Sequence, residues 1–475
     1  MELPAGWVWA RLGDLLREPL RNGHSARSTK EAGGVRTLSL SAVTKDDFSD
    51  SNTKITVADP DRVSDLWLEA GDILIQRSNT PELVGTSAIY RGPDGWAIFP
   101  DLLIRVRLDL RVDSQYVALF LRSPRARSHF KSRAKGLAGS MPKIDQAAIS
   151  GLGIPLPPLA EQHRIVEALE GHLSRLDAAV ATAQNARKRL VNLRKSVLLD
   201  LVPGRVPDSW TATTVEQAGT VELGRARHPD WHHGPEMRPY LRVANVFEDR
   251  IDTSDVMEMD FSGIFEKYRL HSGDVLLNEG QSPHLVGRPA LYRGTPPNVA
   301  FTNSLLRFKT NPNVMPEWAL MVFRRHLHAR RFMREVRITT NIAHLSSKRL
   351  KAIEFPIPPM DVQKELVVRC DEVLSGIDVM DREATRALAR AQNLRRAILT
   401  RAFTGALVPQ DPTDEPAAAL LARIQADRAA QPKAKRVRRA PAVPRKPKAP
   451  AAPAPAPAPS PTPAPTHAVQ QEFDL

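Results

Sequence analysis

The sequence predicts an α+β fold: two pseudo-two-fold-related mixed domains, separated by two long helices that form an antiparallel coiled coil, with a disordered C-terminal tail. Three observations predict it. First, the chain repeats itself at an offset that drifts only between 201 and 203 residues. Trp7 matches Trp210, Gly71-Asp72-Ile73-Leu74 matches Gly273-Asp274-Val275-Leu276, Val84-Gly85 matches Val286-Gly287, and Tyr90-Arg91-Gly92 matches Tyr292-Arg293-Gly294. Second, each copy ends in a proline cluster followed by a long stretch free of proline and turn clusters. Third, the last residues are Lys/Arg-rich and then nearly pure Pro-Ala. The period far exceeds the roughly 20–50 residues of a solenoid, so the repeat is a duplicated domain-plus-helix unit.

The first domain spans 1–157. Its short apolar stretches read as strands at Arg36–Val43, Asp72–Gln76, Thr86–Tyr90 and Leu102–Leu108, broken by Gly, Pro, Asn and Asp. A helix is expected at about Asp113–Arg133, with Tyr116, Leu119, Phe120 and Phe130 on one side, then a closing strand at Leu152–Ile154. The prolines at 155–158 stop that strand and suit the first turn of a helix, where the missing N–H had no partner. The central long helix occupies 158–202, interrupted only by Gly171. The second domain, 203–358, repeats the plan with strands near Tyr240–Val246, Asp274–Asn278, Arg288–Tyr292 and Ser304–Phe308 and a helix at about Pro316–Val336. A second long helix lies within 359–405 (Asp361–Phe403), and a short helical extension within 406–430 carries Leu420, Leu421 and Ile424. Residues 431–475 cannot bury a core and should form a disordered basic spacer.

Both long helices carry an unbroken 4-3 stripe in the same register. The first reads Ile165, Leu169, His172, Leu176, Ala179, Ala183, Ala186, Leu190, Leu193, Val197. The second reads Leu366, Cys370, Val373, Ile377, Met380, Ala384, Ala387, Ala391, Leu394, Ile398. A 3.5-residue period asks for a partner helix wound about it. Alanines near the middle let the two backbones approach closely. Paired antiparallel, the helices would hold the domains at opposite ends of one rod. Ile165 to Val197 spans roughly 48 Å at about 1.5 Å per residue, on the order of 14 base pairs of B-DNA.

Composition narrows the function. The chain has 67 Lys+Arg against 53 Asp+Glu, a net charge of +14, and the residues before the tail still carry +8. A basic body with a basic tail suggests a polyanion partner, most simply nucleic acid. A single cysteine, Cys370, excludes an internal disulfide and a Cys-based zinc site and fits a reducing cytoplasm. No apolar run approaches a membrane span, so no membrane partner is expected. Neither a phosphate loop, a His-Glu-x-x-His motif nor an Asn/Asp-Pro-Pro-aromatic motif is present; Thr295-Pro-Pro-Asn298 reads as a turn. His228, His232 and His233 around Trp231 lack a carboxylate or Cys at ligand spacing and read as a surface loop, so neither catalytic nor metal residues are expected.

The assembled motifs resemble the specificity (S) subunit of type I restriction–modification systems. The marks are Ile154-Pro-Leu-Pro-Pro-Leu-Ala-Glu-Gln162 before a helix closing with Asn192-Leu-Arg-Lys-Ser-Val-Leu, and Phe355-Pro-Ile-Pro-Pro-Met-Asp-Val-Gln363 before Asn393-Leu-Arg-Arg-Ala-Ile-Leu. The second copy departs from the first in lacking the Glu. The stretch Leu407-Val-Pro-Gln-Asp-Pro-Thr-Asp-Glu-Pro416 looks like the end of that family, and the likeness covers roughly 1–430. The resemblance implies two target recognition domains, each reading one half of a split, asymmetric sequence in double-stranded DNA. It implies helices that set the gap and bind two methyltransferase (M) subunits, with motor/nuclease (R) subunits completing the assembly. The chain itself would be non-catalytic and cofactor-free, with S-adenosylmethionine, ATP and Mg on partner subunits.

Base reading calls for Arg or Lys toward guanine and Asn or Gln toward adenine, on loops leaving the strands. In the first domain the candidates are Lys45, Arg77 and Asn79, with Arg133, Lys135 and Lys143 on a basic loop before the prolines. The second copy offers Asn245, Asn278, Gln281, Arg337 and Asn341, plus Arg225 and Arg227 on a loop without an equally basic counterpart. The alternative from a different class is a non-catalytic scaffold that binds partner proteins rather than DNA.

Overall fold

The computed structural model describes residues 2–30, 33–136, 141–339 and 342–430 (for 337–339 the backbone only), and these divide into two compact units. One comprises residues up to 182 together with 387–430, the other residues 183–386. The tail 431–475, the candidate Asn341 and positions 137–140 of the basic loop lie outside the described residues.

The first unit is built on an antiparallel sheet in the order Arg21–Asn22, Leu103–Val106, Ile73–Gln76, Ser87–Ile89. Every residue of the two central strands is buried, Gln76 and Arg105 included, which explains their largely apolar sequence. Successive side chains leave opposite faces of a strand. Ile73, Ile75, Ile104 and Val106 therefore join the core beneath the helix Ser114–Leu121, while Leu74 and Leu103 join a second core with Val35 and Leu38. The second unit repeats this plan in the order Gly219–Leu223, Leu305–Thr310, Val275–Asn278, Pro289–Leu291. Val275 and Leu277 face one core, Leu276 and Leu305 the other.

The Val-Gly match marks a shared packing site. Gly85 and Gly287 have φ of +73° and +75°, and a Cβ there would lie 2.6 Å from Phe130 and 2.5 Å from Phe332. Only glycine meets both demands.

Local corrections have physical causes. The helix expected over Asp113–Arg133 breaks into Ser114–Leu121 and Pro124–Arg133, because Pro124 has no N–H to continue the ladder and Ser123 caps the second piece at Ala126 N (3.3 Å). The strand expected over Arg36–Val43 ends at Leu38, and Leu40–Lys45 turns into a short helix. The helix expected to reach Val336 stops at His328, where Arg330 takes a left-handed φ of 55°.

The proline motifs act as staples. In the first unit Gln162 is fully buried; its Nε2 donates to Pro157 O (2.9 Å) and its Oε1 accepts from Asp113 N (3.0 Å). In the second, Gln363 donates to Pro358 O and Asn313 O (both 2.9 Å) and accepts from Met315 N (2.8 Å). Each amide ties the long helix to the domain helix and the proline strand. Tyr116 Oη and Trp318 Nε1 complete the tie, donating to Pro155 O (2.5 Å) and Pro356 O (2.9 Å).

The long helices run over Leu159–Leu201 and Met360–Ala402. Within the first unit Ile165, Leu169 and Leu173 share a core with Ile398, Leu399, Ala402 and Phe403. Within the second, Leu190 and Leu198 share one with Val367, Cys370, Leu374 and Ile377. Pairing is antiparallel in each. Asp177–Arg395 in the first unit and Asp378–Arg194 in the second are repeat-equivalent ion pairs. The second unit adds Arg187–Asp381 at 2.8 Å; the equivalent positions in the first hold two apolar residues, Leu388 and Val180.

The expected stripe holds at thirteen of its twenty positions, and the misses are repeat-equivalent in the two helices except at Ala387, whose counterpart Ala186 is partly buried. Ile165, Leu169, Leu176, Leu190, Cys370 and Ile377 are buried, and Ala183, Ala186, Val197, Leu366, Ala384, Ala391 and Ile398 are partly so. His172, Ala179, Leu193, Val373, Met380, Ala387 and Leu394 instead face outward; Met380 is 56% and Leu394 51% exposed. The seam uses their C-terminal neighbours: Leu173, Val180, Arg194, Leu374, Asp381, Leu388 and Arg395. Three of these are charged, snorkel to ion pairs at the edge, and so leave no trace in an apolar pattern. Leu173, Val180, Leu374 and Leu388 are apolar, but each stands beside a stripe residue, and spacing alone does not choose between such neighbours.

The C-terminal extension packs on the first unit. Ala417, Leu420 and Ile424 of the helix Ala417–Ala430 enter its core, Ala417 N donates to Gly6 O (2.9 Å), and Arg111–Asp427 (2.7 Å) and Arg164–Asp414 (2.6 Å) pin its flanks.

Candidate nucleic-acid interface

In both units the segment leaving a central strand meets the segment preceding a short helix. In the first, Lys135 and Lys143 exchange backbone hydrogen bonds (2.8 and 2.9 Å), Lys143 bridges to Ser78, and Ile144 N donates to Arg77 O (2.9 Å). Arg77, Lys135 and Lys143 are thereby brought together. In the second unit the same framework widens into a small sheet in the order Gly280–Gln281, Ile342–His344, Arg337–Thr339. His344 pairs with both Gly280 and Arg337, and Leu345 N donates to Glu279 O (2.8 Å). Gln281 and the backbone of Arg337 thus share one patch.

Gln76 organises the first patch. Its Nε2 donates to Leu40 O (3.2 Å) and Thr44 Oγ1 (2.7 Å), fixing the helix that ends at exposed Lys45. Its Oε1 accepts from Asn79 Nδ2 (2.7 Å), while Asn79 Oδ1 accepts from Thr80 N (2.8 Å). Both ends of the Asn79 amide are therefore engaged within the loop. Arg77 is half-buried with no side-chain partner among the described residues, and Arg133 and Lys143 are exposed. Lys135 pairs loosely with Asp145 at 3.5 Å. Asp145 also accepts from Ala148 N (2.8 Å) at the start of the helix Gln146–Ser150, a bond that holds its carboxyl below the usual range.

Three expectations in the second unit are corrected. Asn245 is 2% exposed, and its amide donates to Asp252 O (3.0 Å) and Asp255 O (2.9 Å) while accepting from Arg242 N (3.0 Å). It closes its own loop. Asn278 is fully buried and donates to Val246 O (3.4 Å), the counterpart of Gln76. Neither amide is presented to a base edge. Arg225 donates to Asp260 O and lies over the rings of Trp231 (4.0 Å) and Phe261 (5.1 Å), so its guanidinium is held by its own unit. Arg227 is exposed, and Gln281, half-buried, accepts from Ser282 N (3.0 Å).

Two residues were missed by sequence reasoning. Glu279 stands where the first copy has Arg77, and His344 where it has Lys143, with His344 Nδ1 3.2 Å from a Glu279 oxygen. Reading the repeat position by position would have found both. Among the described residues no group of three or more His, Cys, Asp or Glu is placed to hold a metal ion, and no helix is long and apolar enough to cross a membrane.

Residues 4–186 match the family described as "Type I restriction modification DNA specificity domain". The chain is 26% identical over 380 residues to the Type I restriction enzyme EcoKI specificity subunit of Escherichia coli (strain K12), covering 75% of this chain and 81% of that protein. It is 25% identical over 379 residues to the Type I restriction enzyme StySPI specificity subunit of Salmonella potsdam, with the same coverage. Among solved structures, a chain from work on complex assembly and conformational transition of the type I R-M system aligns with a TM-score of 0.64 and 18% identity, covering 86% of this chain and all of that one. The HsdS subunit from Thermoanaerobacter tengcongensis aligns with a TM-score of 0.50 and 19% identity, covering 86% and 98%. The family domain in the first copy, its architecture repeated in the second, and relatives matched along most of their length make this chain similar to the specificity subunits of type I restriction–modification systems.

Proposed function

We propose that each unit reads one half of a bipartite, asymmetric DNA target and that the chain brings methyltransferase and motor/nuclease subunits to it without catalysing a reaction itself. The observation that carries this reading is the repeated patch: the same backbone frame in both copies, with different side chains mounted on it. Identical frames with divergent polar residues suit two heads that read different half-sites. The outward-facing Leu193, Val373, Met380 and Leu394 on the long helices, with no role in the seam, suit protein docking. S-adenosylmethionine, ATP and Mg belong, in this reading, to the partner subunits.

Co-expression with the neighbouring methyltransferase, followed by mapping of methylated bases across the genome, tests it. A two-part motif with a fixed unspecified gap is expected. Insertion of about one heptad into one long helix should change the tolerated gap. If the purified chain and its complex shift no duplex at low salt, the protein is a scaffold for proteins alone.

A further inference from the structure

We infer that one pair of positions, occupied by Arg77 and Lys143 in the first unit and by Glu279 and His344 in the second, makes the two half-sites chemically different. The inference rests on the DNA-reading function proposed above and names the residues that set the specificity.

The argument begins with backbone equivalence. Arg77 N donates to Leu102 O (2.8 Å), and Glu279 N donates to Ser304 O (2.9 Å). Arg77 O accepts from Ile144 N (2.9 Å), and Glu279 O accepts from Leu345 N (2.8 Å). The residues just before them, Gln76 and Asn278, accept at their carbonyls from Gly85 N (2.8 Å) and Gly287 N (2.9 Å). All the partners are repeat-equivalent, so the two side chains leave the same point of the same fold. Lys143 and His344 occupy the facing position, bridged to Ser78 and Gly280.

What differs is charge. In the first unit the two positions hold two cations, neither with a side-chain partner among the described residues. In the second they hold a carboxylate and an imidazole within 3.2 Å. A carboxylate facing a polyanion adds nothing to general affinity. Its use at such a place is to accept a hydrogen bond from a base amino group, whereas a guanidinium donates two to guanine O6 and N7. The pairing with His344 aims the carboxylate and leaves its second oxygen to accept. We assign Arg77 to a guanine in one half-site, and Glu279 to a base offering an amino group in the major groove of the other.

The complex with the methyltransferase is tested on a library of randomised duplexes, with enriched sequences read out. Arg77→Ala should lower the preference at one position of one half-site by roughly five- to a hundredfold and leave the other half-site intact. Glu279→Gln keeps the shape and adds a donor, so it should relax one position of the second half-site to admit acceptor-only bases. Uniform weakening across all sequences by Arg77→Ala, with a salt slope reduced by about one, would make Arg77 a phosphate contact and overturn the assignment. Tighter binding of every duplex by Glu279→Gln without altered preference would do the same for Glu279. If the parent complex enriches no sequence, the proposed function fails; if it enriches a split motif that both variants keep, only this inference fails.

Discussion

Gln162 and Gln363 show what a single buried amide contributes. Each joins three segments through bonds that water cannot replace, and truncation leaves a backbone N–H and a carbonyl buried without partners. Gln162→Ala should destabilise the first unit, and Gln363→Ala the second, each by about 1–3 kcal/mol in urea unfolding. The proline motif was legible in the sequence as a repeated signature; its physical meaning was not, because the donors at Asp113 and Met315 lie far away in the chain. His326 carries a pH dependence. Burial pushes its imidazole down to about 4 while Nε2 donates to Glu354 O (2.9 Å). The unfolded residue titrates near about 6.5, so the unfolded state binds the extra proton between these values. The contribution of neutral His326 is complete above about 6.5 and disappears as pH falls toward about 4, on the order of 3 kcal/mol in all. Thermal melting from pH 7 to 4 should show this acid limb, and His326→Gln should flatten it.

At the scale of elements, the helix pair separates two tasks by one residue. The period of the stripe was read correctly, but seven of its twenty positions fell one residue short of the seam. An apolar pattern cannot register Arg187, Arg194, Asp381 or Arg395, whose stems lie in the seam while their charges meet at its edge. Leu190→Ala removes a side chain 9% exposed and should cost about 2–5 kcal/mol of stability. Met380→Glu, at a site 56% exposed, should leave the melting temperature nearly unchanged and instead weaken co-purification of the methyltransferase. Equal loss of stability in the two variants would return Met380 to the seam. The strands were legible because burial on both faces makes them largely apolar, whereas the helix Leu40–Lys45 was not, since Gln76 fixes it from another strand.

Across the molecule, duplication accounts for most of what was read in advance, and departures from it account for most of what was not. The helix Ala417–Ala430 covers the first strand of one unit, where Ala10 is buried; the matching strand Thr211–Thr214 is threonine-rich and needs no such cover. Ending the chain at Gly405 should cost the first unit on the order of 3–5 kcal/mol, from the lost burial of Ala417, Leu420 and Ile424, and leave the second unit's unfolding midpoint in place. The candidate site was legible as a region, not residue by residue, because loop polarity does not say which amides are engaged inside. The ion pairs of the helices hold a last consequence. Asp177–Arg395 and Asp378–Arg194 are copies of one another, so a helix meeting its own twin from a neighbouring molecule would satisfy them equally well. Arg187 would then confront Val180, and Asp381 would confront Leu388, each charge set against a greasy neighbour. That solitary bond penalises the union of identical rods, and it steers each toward its unlike counterpart instead.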